Sequence, residues 1–394
     1  MLEKSESTRV VMLMLTWACN LNCVYCFENY KTKGKEMSFE MAKKVLTQEF
    51  EKFKESNPGE RIKIEFFGGE PLLRFDLIRD ITEWIENNDP DTEYLLSVTS
   101  NGTLLNDEMK DWFVAHKDKI RIVMSVDGSE DMQENNRGKL AGEVPLDFVR
   151  RVWPRLHFKS TISRSNLPSL AESLIPLLEK GHVIAPNLAV GEDWQPGDAA
   201  IYKRELEKLA DWHLAHPDVE PMNIFSQAFY ALLEPHCSRT PKKNCGTGTT
   251  MVIYDVDGKA YPCDLFVPIT HGHRNVLDEL VKIDFFDDAA FVDPDCVDCG
   301  MLRICKTCYG FNYRDRGDIR KRDRRVCQMQ LAEAQIISDF QINWLTALSK
   351  RRQLTEMELF SLKGALKCHE LYADYSIEYG GIRKAVNRVG VTFL

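Results

Sequence analysis

Val10-Val11-Met12-Leu13-Met14-Leu15-Thr16-Trp17-Ala18-Cys19-Asn20-Leu21-Asn22-Cys23-Val24-Tyr25-Cys26 decides how the rest of the chain is read. Its first six residues are continuously apolar and rich in valine, methionine and leucine. A run of that length without alternation is a strand buried on both faces, the habit of a parallel sheet. The polar chemistry begins where the strand stops. Cys19-x3-Cys23-x2-Cys26 places three soft thiolates in one loop at the carboxyl end of that strand. In a parallel α/β architecture that is the end where chemistry collects.

Outward from this stretch the same texture repeats. Strands are expected at Val10–Leu15, Arg61–Phe67, Tyr94–Thr99, Arg121–Val126, Leu156–Ile162 and His182–Leu188. Amphipathic stretches fall at Phe39–Glu55, Arg74–Asn87, Asp107–His116, Pro145–Trp153 and Pro168–Lys180, with Ala199–Ala215 after the sixth strand. Ser38 and Asn106 are placed to cap the first and third helices. Six strand–helix units imply right-handed parallel crossovers and an open or partial barrel. Gly68-Gly69-Glu70-Pro71 follows strand two, Ser100-Asn101-Gly102-Thr103 follows strand three, and Ser125-Val126-Asp127-Gly128 ends strand four.

Beyond residue 235 the texture changes to cysteine, glycine, proline and short turns. The cysteines read Cys237-x7-Cys245, Cys263, Cys296-x2-Cys299-x5-Cys305-x2-Cys308 and Cys327. So little apolar material implies folding around metal. From the residues alone, two zinc ribbons and two four-cysteine iron–sulfur sites are both open. For the first motif, three thiolates suit a [4Fe–4S] cluster with one open iron, and a zinc site with a distant fourth ligand is the alternative. After residue 328 helical patterning resumes, at Gln328–Leu348 and Glu356–Tyr372. Cys368 falls in the last of these and reads as a buried bystander. The chain divides into 1–215, a linker over 216–234, a cysteine-rich 235–330 and a helical 331–394.

Composition bounds the function. Of 394 residues 28% are charged and the net charge is −9, which does not suit coating nucleic acid or an anionic membrane. The apolar run at Val10–Leu15 is far short of the roughly 20 residues that cross a bilayer and too short for a secretory signal. Twelve cysteines in a chain of this size point to metal ligation in a reducing, cytoplasmic setting. Arg314 to Arg325 carries seven basic residues interleaved with Asp315, Asp318 and Asp323, which reads as a solvated, locally paired loop. Surface placement suits His271 and His273.

The segment Cys19-Asn20-Leu21-Asn22-Cys23-Val24-Tyr25-Cys26 resembles the signature of radical S-adenosylmethionine (SAM) enzymes. Gly68–Pro71 is similar to their methionine-binding motif, and Ser125 with Asp127-Gly128 to their ribose-side motif. The cysteine-rich half resembles the SPASM extension of peptide-modifying members, with Cys305-x2-Cys308 one residue shorter than the usual spacing. The resemblance implies a partial (β/α)6 TIM-like barrel, a SPASM domain, C-terminal helices and three [4Fe–4S] clusters. One cluster would bind S-adenosylmethionine on Cys19, Cys23 and Cys26. Cys237, Cys245, Cys263 and Cys308 would hold a nearer auxiliary cluster, and Cys296, Cys299, Cys305 and Cys327 a farther one. Tyr25, Gly68, Gly69, Glu70, Pro71, Asn101, Ser125, Asp127 and Arg137 would surround S-adenosylmethionine. Asp264, following Cys263, stands where anaerobic sulfatase-maturing enzymes place a proposed base.

The resulting expectation is an oxidoreductase that takes a hydrogen atom from a ribosomally made precursor peptide and forms a cysteine thioether. Formylglycine formation on a sulfatase, carbon–carbon cross-linking of a peptide, and a zinc-folded interaction protein without catalysis are the alternatives. The resemblance further implies an external donor such as flavodoxin or ferredoxin. Because strand one starts by residue 10, a fused leader-binding domain is not expected, which leaves a separate leader-peptide-binding protein, leader-independent binding or the sulfatase reading.

Overall fold

A computed structural model describes residues 9–57, 59–88, 91–138, 144–233, 243–272 and 276–375. The elements run β1 (Arg9–Met14), α1 (Phe39–Ser56), β2 (Arg61–Phe67), α2 (Phe75–Asn88), β3 (Glu93–Ser100), α3 (Asp107–Ala115) and β4 (Ile120–Met124). They continue with α4 (Glu130–Arg137), α5 (Leu146–Val152), β5 (His157–Ile162), α6 (Leu170–Glu179), β6 (Val183–Leu188) and α7 (Asp198–Ala215). The cysteine-rich stretch adds β7 (Met251–Tyr254), β8 (Ala260–Tyr261), α8 (Pro268–His271), α9 (Leu277–Leu280) and α10 (Tyr309–Arg316). The long helices α11 (Cys327–Ser349) and α12 (Glu356–Tyr372) follow.

The main sheet has the order β4-β3-β2-β1-β7-β8, and β5 pairs with β6. β1 to β4 are mutually parallel, as their apolar runs require: Val11, Leu13, Met14, Ile62, Ile64, Phe66, Leu96, Val98 and Ile122 are fully buried. Ser125 forms a parallel bridge to Lys159 beside β5. Ser38 Oγ accepts from the Met41 N–H and Asn106 Oδ1 from the Met109 N–H, so both expected caps form.

Two features were not expected from sequence. β7, from the cysteine-rich stretch, pairs in parallel with the free edge of β1, Val10 against Met251 through Leu13 against Tyr254. β8 then closes antiparallel onto β7. The stretch Glu130–Arg137 is a helix, so Arg137 ends α4 and is only 7% exposed.

The chain forms two compact units. The first comprises residues 1–126, 133–159 and 245–286, and holds the six-stranded sheet. The second comprises residues 127–132, 160–244 and 287–394. In it α11 packs along α7 and α12, burying Leu331, Ala332, Ile337 and Phe340. No helix among the described residues is long and apolar enough to cross a membrane.

Candidate active site

The loops leaving β1, β2 and β3 are tied to one another in the first unit. The loop after β2 lies directly on the cysteine loop. Gly69 N–H donates to Thr16 O at 2.9 Å and Glu70 N–H to Ala18 O at 2.8 Å. Gly68 has φ +148, and a Cβ there would stand 2.6 Å from Thr16 O; one on Gly69 would stand 2.3 Å from Ala18 O. The two glycines are therefore required by the close approach of two backbones.

Glu70 is buried and accepts three hydrogen bonds: Leu72 N–H at 3.0 Å, Ser100 Oγ–H at 2.7 Å and Asn101 N–H at 2.8 Å. Burial pushes its carboxyl up, opposed by those donors and by the nearby Arg137. Pro71 follows as the first residue of a single 3-10 turn. Asn101 reaches the cysteine loop: its Nδ2 donates to Asn20 Oδ1 at 2.9 Å, and its Oδ1 accepts from the Thr103 hydroxyl at 2.7 Å. Asn20 Nδ2 donates to Thr103 Oγ1 at 2.8 Å.

Within the cysteine loop, Leu21 N–H points at Cys19 Sγ (3.4 Å) and Cys26 N–H donates to Cys23 O (3.1 Å). Lys31 stands beside the Cys26 and Cys19 thiols. Burial pushes the Cys19 thiol up to about 11, so a cation must bind for it to ionise near neutral pH. The Tyr25 ring lies 5.5 Å beneath the Arg137 guanidinium. Val24 N–H donates to Asn136 O, which fastens the loop to α4. Ser125 N–H donates to Ser100 O. Asp127 is fully buried in the second unit, where its Oδ1 accepts from Thr161 N–H at 3.0 Å.

A cluster of carboxyls accompanies the thiols. Glu28 is 6% exposed, and its Oε1 has no hydrogen-bond partner. Burial pushes it up to about 8; Lys31 opposes, while Asp264 and Glu70 add to the rise. Asp264, half-buried in a 3-10 turn after Cys263, is pushed up to about 6 by burial, with Lys159 opposing and Glu65 adding. These shifts hold the carboxyls toward the neutral form, and a cation beside them would draw them back to the carboxylate; with three thiols and backbone donors, the loop suits a [4Fe–4S] cluster and a cationic sulfonium ligand. Lys31 had no sequence signal, because one lysine in a polar loop is ordinary.

The other cysteines are placed as follows. Cys245 is exposed and Cys263 buried in the first unit; Cys308 heads α10 in the second; Cys237 lies outside the described residues. Cys296, Cys299, Cys305 and Cys327 all line a single cavity of about 370 Å³ in the second unit, together with Arg322, Arg324 and Gln328. Among the described residues no three Cys, His, Asp or Glu side chains are grouped tightly enough for a single metal ion; a four-iron cube spaces its thiolates more widely. Cys368 is fully buried in α12, against the Ala334 carbonyl. His271 Nε2 lies 2.7 Å from the Leu265 carbonyl oxygen. His273 lies outside the described residues.

The basic run is largely paired as expected, through Arg314–Asp315, Arg320–Asp318 and Arg325–Asp323. Arg322 and Arg324 depart from that pattern. Both turn to the four-cysteine cavity, and Arg322 is 7% exposed.

Residues 14–152 match the model of the radical SAM superfamily. A probable GTP 3',8-cyclase of Methanopyrus kandleri is 30% identical over 227 residues, 53% of this chain and 68% of that protein. The chain belongs to the radical SAM superfamily, whose members use S-adenosylmethionine and a [4Fe–4S] cluster.

An uncharacterized protein of Methanocaldococcus jannaschii is 36% identical over 185 residues, 45% of this chain and 60% of that protein, so the chain spans about three-fifths of that relative. A cysteine-type anaerobic sulfatase-maturating enzyme of Clostridium novyi is 23% identical over 323 residues, 73% of this chain and 84% of that protein. A solved structure of anSMEcpe with bound AdoMet and Cp18Cys peptide superposes with TM-score 0.61 at 18% identity, covering 87% of this chain and 99% of that one. That likeness establishes the shared fold.

Proposed function

We propose that this chain is a peptide maturase that oxidises a residue of a polypeptide substrate by two electrons, forming a cysteine thioether in a ribosomally made precursor. The observation that carries the reading is the pairing of two cysteine sites. A three-thiol loop is locked to a Glu70–Asn101 network, and four further cysteines share one cavity. The first suits radical generation and the second suits electron storage.

When bound and reduced, S-adenosylmethionine and its cluster supply a 5′-deoxyadenosyl radical that removes one hydrogen atom. Cys19, Cys23 and Cys26 would hold that cluster, and the carboxyls of Glu28, Glu70 and Asp264, ionised as the cationic ligand binds, would favour it. Tyr25 and Arg137 would flank it. The remaining oxidation removes one electron and one proton, and Asp264 would take the proton. The farther auxiliary cluster would lie on Cys296, Cys299, Cys305 and Cys327, and the nearer one on Cys237, Cys245, Cys263 and Cys308. An external reductant such as flavodoxin or ferredoxin would feed the first cluster, and a separate leader-binding protein would deliver the peptide.

Formylglycine formation is the second reading, favoured by Asp264 directly after Cys263 and by the name of the Clostridium novyi relative. The test is anaerobic reconstitution with iron, sulfide and 5′-deoxyadenosine counted in one sample, followed by mass spectrometry of two peptides. About twelve irons are expected for three four-iron clusters, with deoxyadenosine formed and a loss of two hydrogens from a Cys-rich precursor. Turnover of a sulfatase-derived cysteine peptide alone would replace the thioether reading with formylglycine formation. Zinc in place of iron, without cleavage of S-adenosylmethionine, would overturn both.

A further inference from the structure

We propose that Arg322 and Arg324 are cationic hydrogen-bond donors to a cluster held by Cys296, Cys299, Cys305 and Cys327, and that they raise its reduction potential. The inference rests on the assignment of those four cysteines to an auxiliary cluster. It adds which residues of this chain set the cluster's redox behaviour.

Arg324 Nη1 donates to Cys296 Sγ, and its Nη2 donates to Asp293 Oδ2 at 2.7 Å and lies 3.5 Å from Asp295. Arg322 is held differently. Its Nη1 donates to the Cys305 carbonyl at 2.8 Å, and its backbone N–H donates to Asp293 Oδ2 at 2.9 Å. Its Nε is buried and has no acceptor. Gln328, next to Cys327 and 5% exposed, has neither amide atom partnered. Both residues line the cavity that holds the four cysteines. A buried guanidinium N–H without an acceptor costs about 1–3 kcal/mol, more where the group is charged. A thiolate or an inorganic sulfide in that cavity would supply the missing acceptor, and Gln328, another lining residue, carries a second buried amide without a partner.

The electrostatics have a fixed sign. Reduction adds one electron to a cluster that four thiolates already make anionic, with no bond made or broken and no proton moved. Cations and N–H donors at the sulfurs favour the more negative state and so raise the potential. Cys327 opens the 23-residue helix α11, so the positive end of a long helix dipole adds to the effect. Asp293 works against it, since its carboxylate neutralises part of the Arg324 charge while aiming the guanidinium at Cys296. In the same run Arg314, Arg320 and Arg325 pair with neighbouring aspartates; the Arg322 side chain donates to a carbonyl and pairs with no carboxylate among the described residues, so its charge is left for the cavity.

The test uses the full chain carrying Cys19→Ala, Cys23→Ala and Cys26→Ala, reconstituted anaerobically, so that only auxiliary clusters report. A dithionite titration with redox mediators is followed by electron paramagnetic resonance. The signal that disappears in Cys305→Ser identifies the cluster in question. Arg322→Gln and Arg324→Gln are expected to move that signal to more negative potential, with the reduced-to-oxidised ratio at the parent midpoint falling at least tenfold. That is about 59 mV for one electron. Asp293→Asn is expected to move it the opposite way, and Arg324→Lys to move it less than Arg324→Gln. Iron and sulfide counts should stay at the parent value.

Unchanged potentials with iron retained would overturn the proposal. If Arg322→Gln sheds iron, the opposite signs expected of Asp293→Asn and Arg324→Gln still decide it, and equal or same-sign shifts overturn it. Failure of the underlying assignment is read separately: Cys305→Ser would then leave the iron count of the parent unchanged.

Discussion

Glu70 carries more of the site than its position in a Gly-Gly-Glu-Pro motif implies. Three donors from two loops converge on one buried carboxylate, and two of them, Ser100 and Asn101, come from the end of β3. Glu70→Gln replaces one acceptor oxygen by an NH2 group, so at least one of those donors meets a donor. The expected cost is about 1–3 kcal/mol of stability, read as a lowered denaturation midpoint. Asn101, and through it Asn20 in the cysteine loop, is released with it, so affinity for S-adenosylmethionine should fall as well. Stability and ligand affinity both unchanged would show that the carboxylate does not organise the loops. This role was half legible in the sequence. The motif marked the place, but only the fold shows that its glycines answer to the Thr16 and Ala18 carbonyls and that its glutamate faces inward. Lys31 and the orphaned Glu28 had no such mark, because one lysine or glutamate in a polar loop carries no pattern.

At the scale of elements, legibility followed length and apolar continuity. β2 and α12 match their expected bounds, and β1, β3, β6 and α11 differ by a residue or so at their ends. β7 and β8 escaped notice because four and two residues among glycines and cysteines give no periodicity to read. α4 escaped because Met132 is its one apolar residue, which leaves no apolar stripe to read. The packing of α7 on α11 offers a test that no pattern foretold. His213 in α7 is fully buried, stands edge-on to Phe225 and Phe340, and its Nε2 accepts from Met222 N–H. Burial, with His216 adding, lowers its pKa to about 4. The unfolded chain binds this proton below about 6.5 and the folded chain only below about 4, so the stabilisation is present above 6.5 and lost as pH falls through 4. At about 1.4 kcal/mol per unit the full loss approaches ~3 kcal/mol. His213→Gln should flatten the pH dependence of the thermal midpoint between 4 and 6.5. A slope unchanged from that of the parent would assign the acid sensitivity to other groups.

At the scale of the whole molecule, the first part of the cysteine-rich stretch is built into the unit that holds the six-stranded sheet. Residues 245–286 belong to the same compact unit as β1 to β4, and the reason is visible in three contacts. β7 covers the edge of β1 from Val10 to Leu13. Tyr254 OH donates to the buried Glu49 of α1, which also pairs with Arg9 at 2.8 Å. Asp255 accepts from the buried Trp17 Nε1 at 2.7 Å, two residues before the first cysteine. A fragment ending at residue 234 would therefore bare a long apolar strand edge, and would leave both Glu49 and Trp17 short of a buried partner. Such a fragment is expected to associate, eluting as aggregates with bound hydrophobic dye, even though it contains all three cysteines of the first motif. A fragment 1–286 restores β7, Tyr254 and Asp255 and, though it too lacks the α11 that packs on α7, should associate less than the shorter fragment. Monomeric behaviour of the shorter fragment with native-like circular dichroism would show that β1 tolerates a free edge, and that the sheet does not depend on the chain's return at Met251. The dependence also has a functional direction. Trp17 precedes Cys19 and Asp255 precedes Cys263 by eight residues, so one hydrogen bond links the loop of the first thiols to the strand pair that leads to Asp264. Asp255→Ala in the full chain should thus lower the yield of 5′-deoxyadenosine more than it lowers the iron count, because it loosens the cysteine loop while leaving every thiol in place.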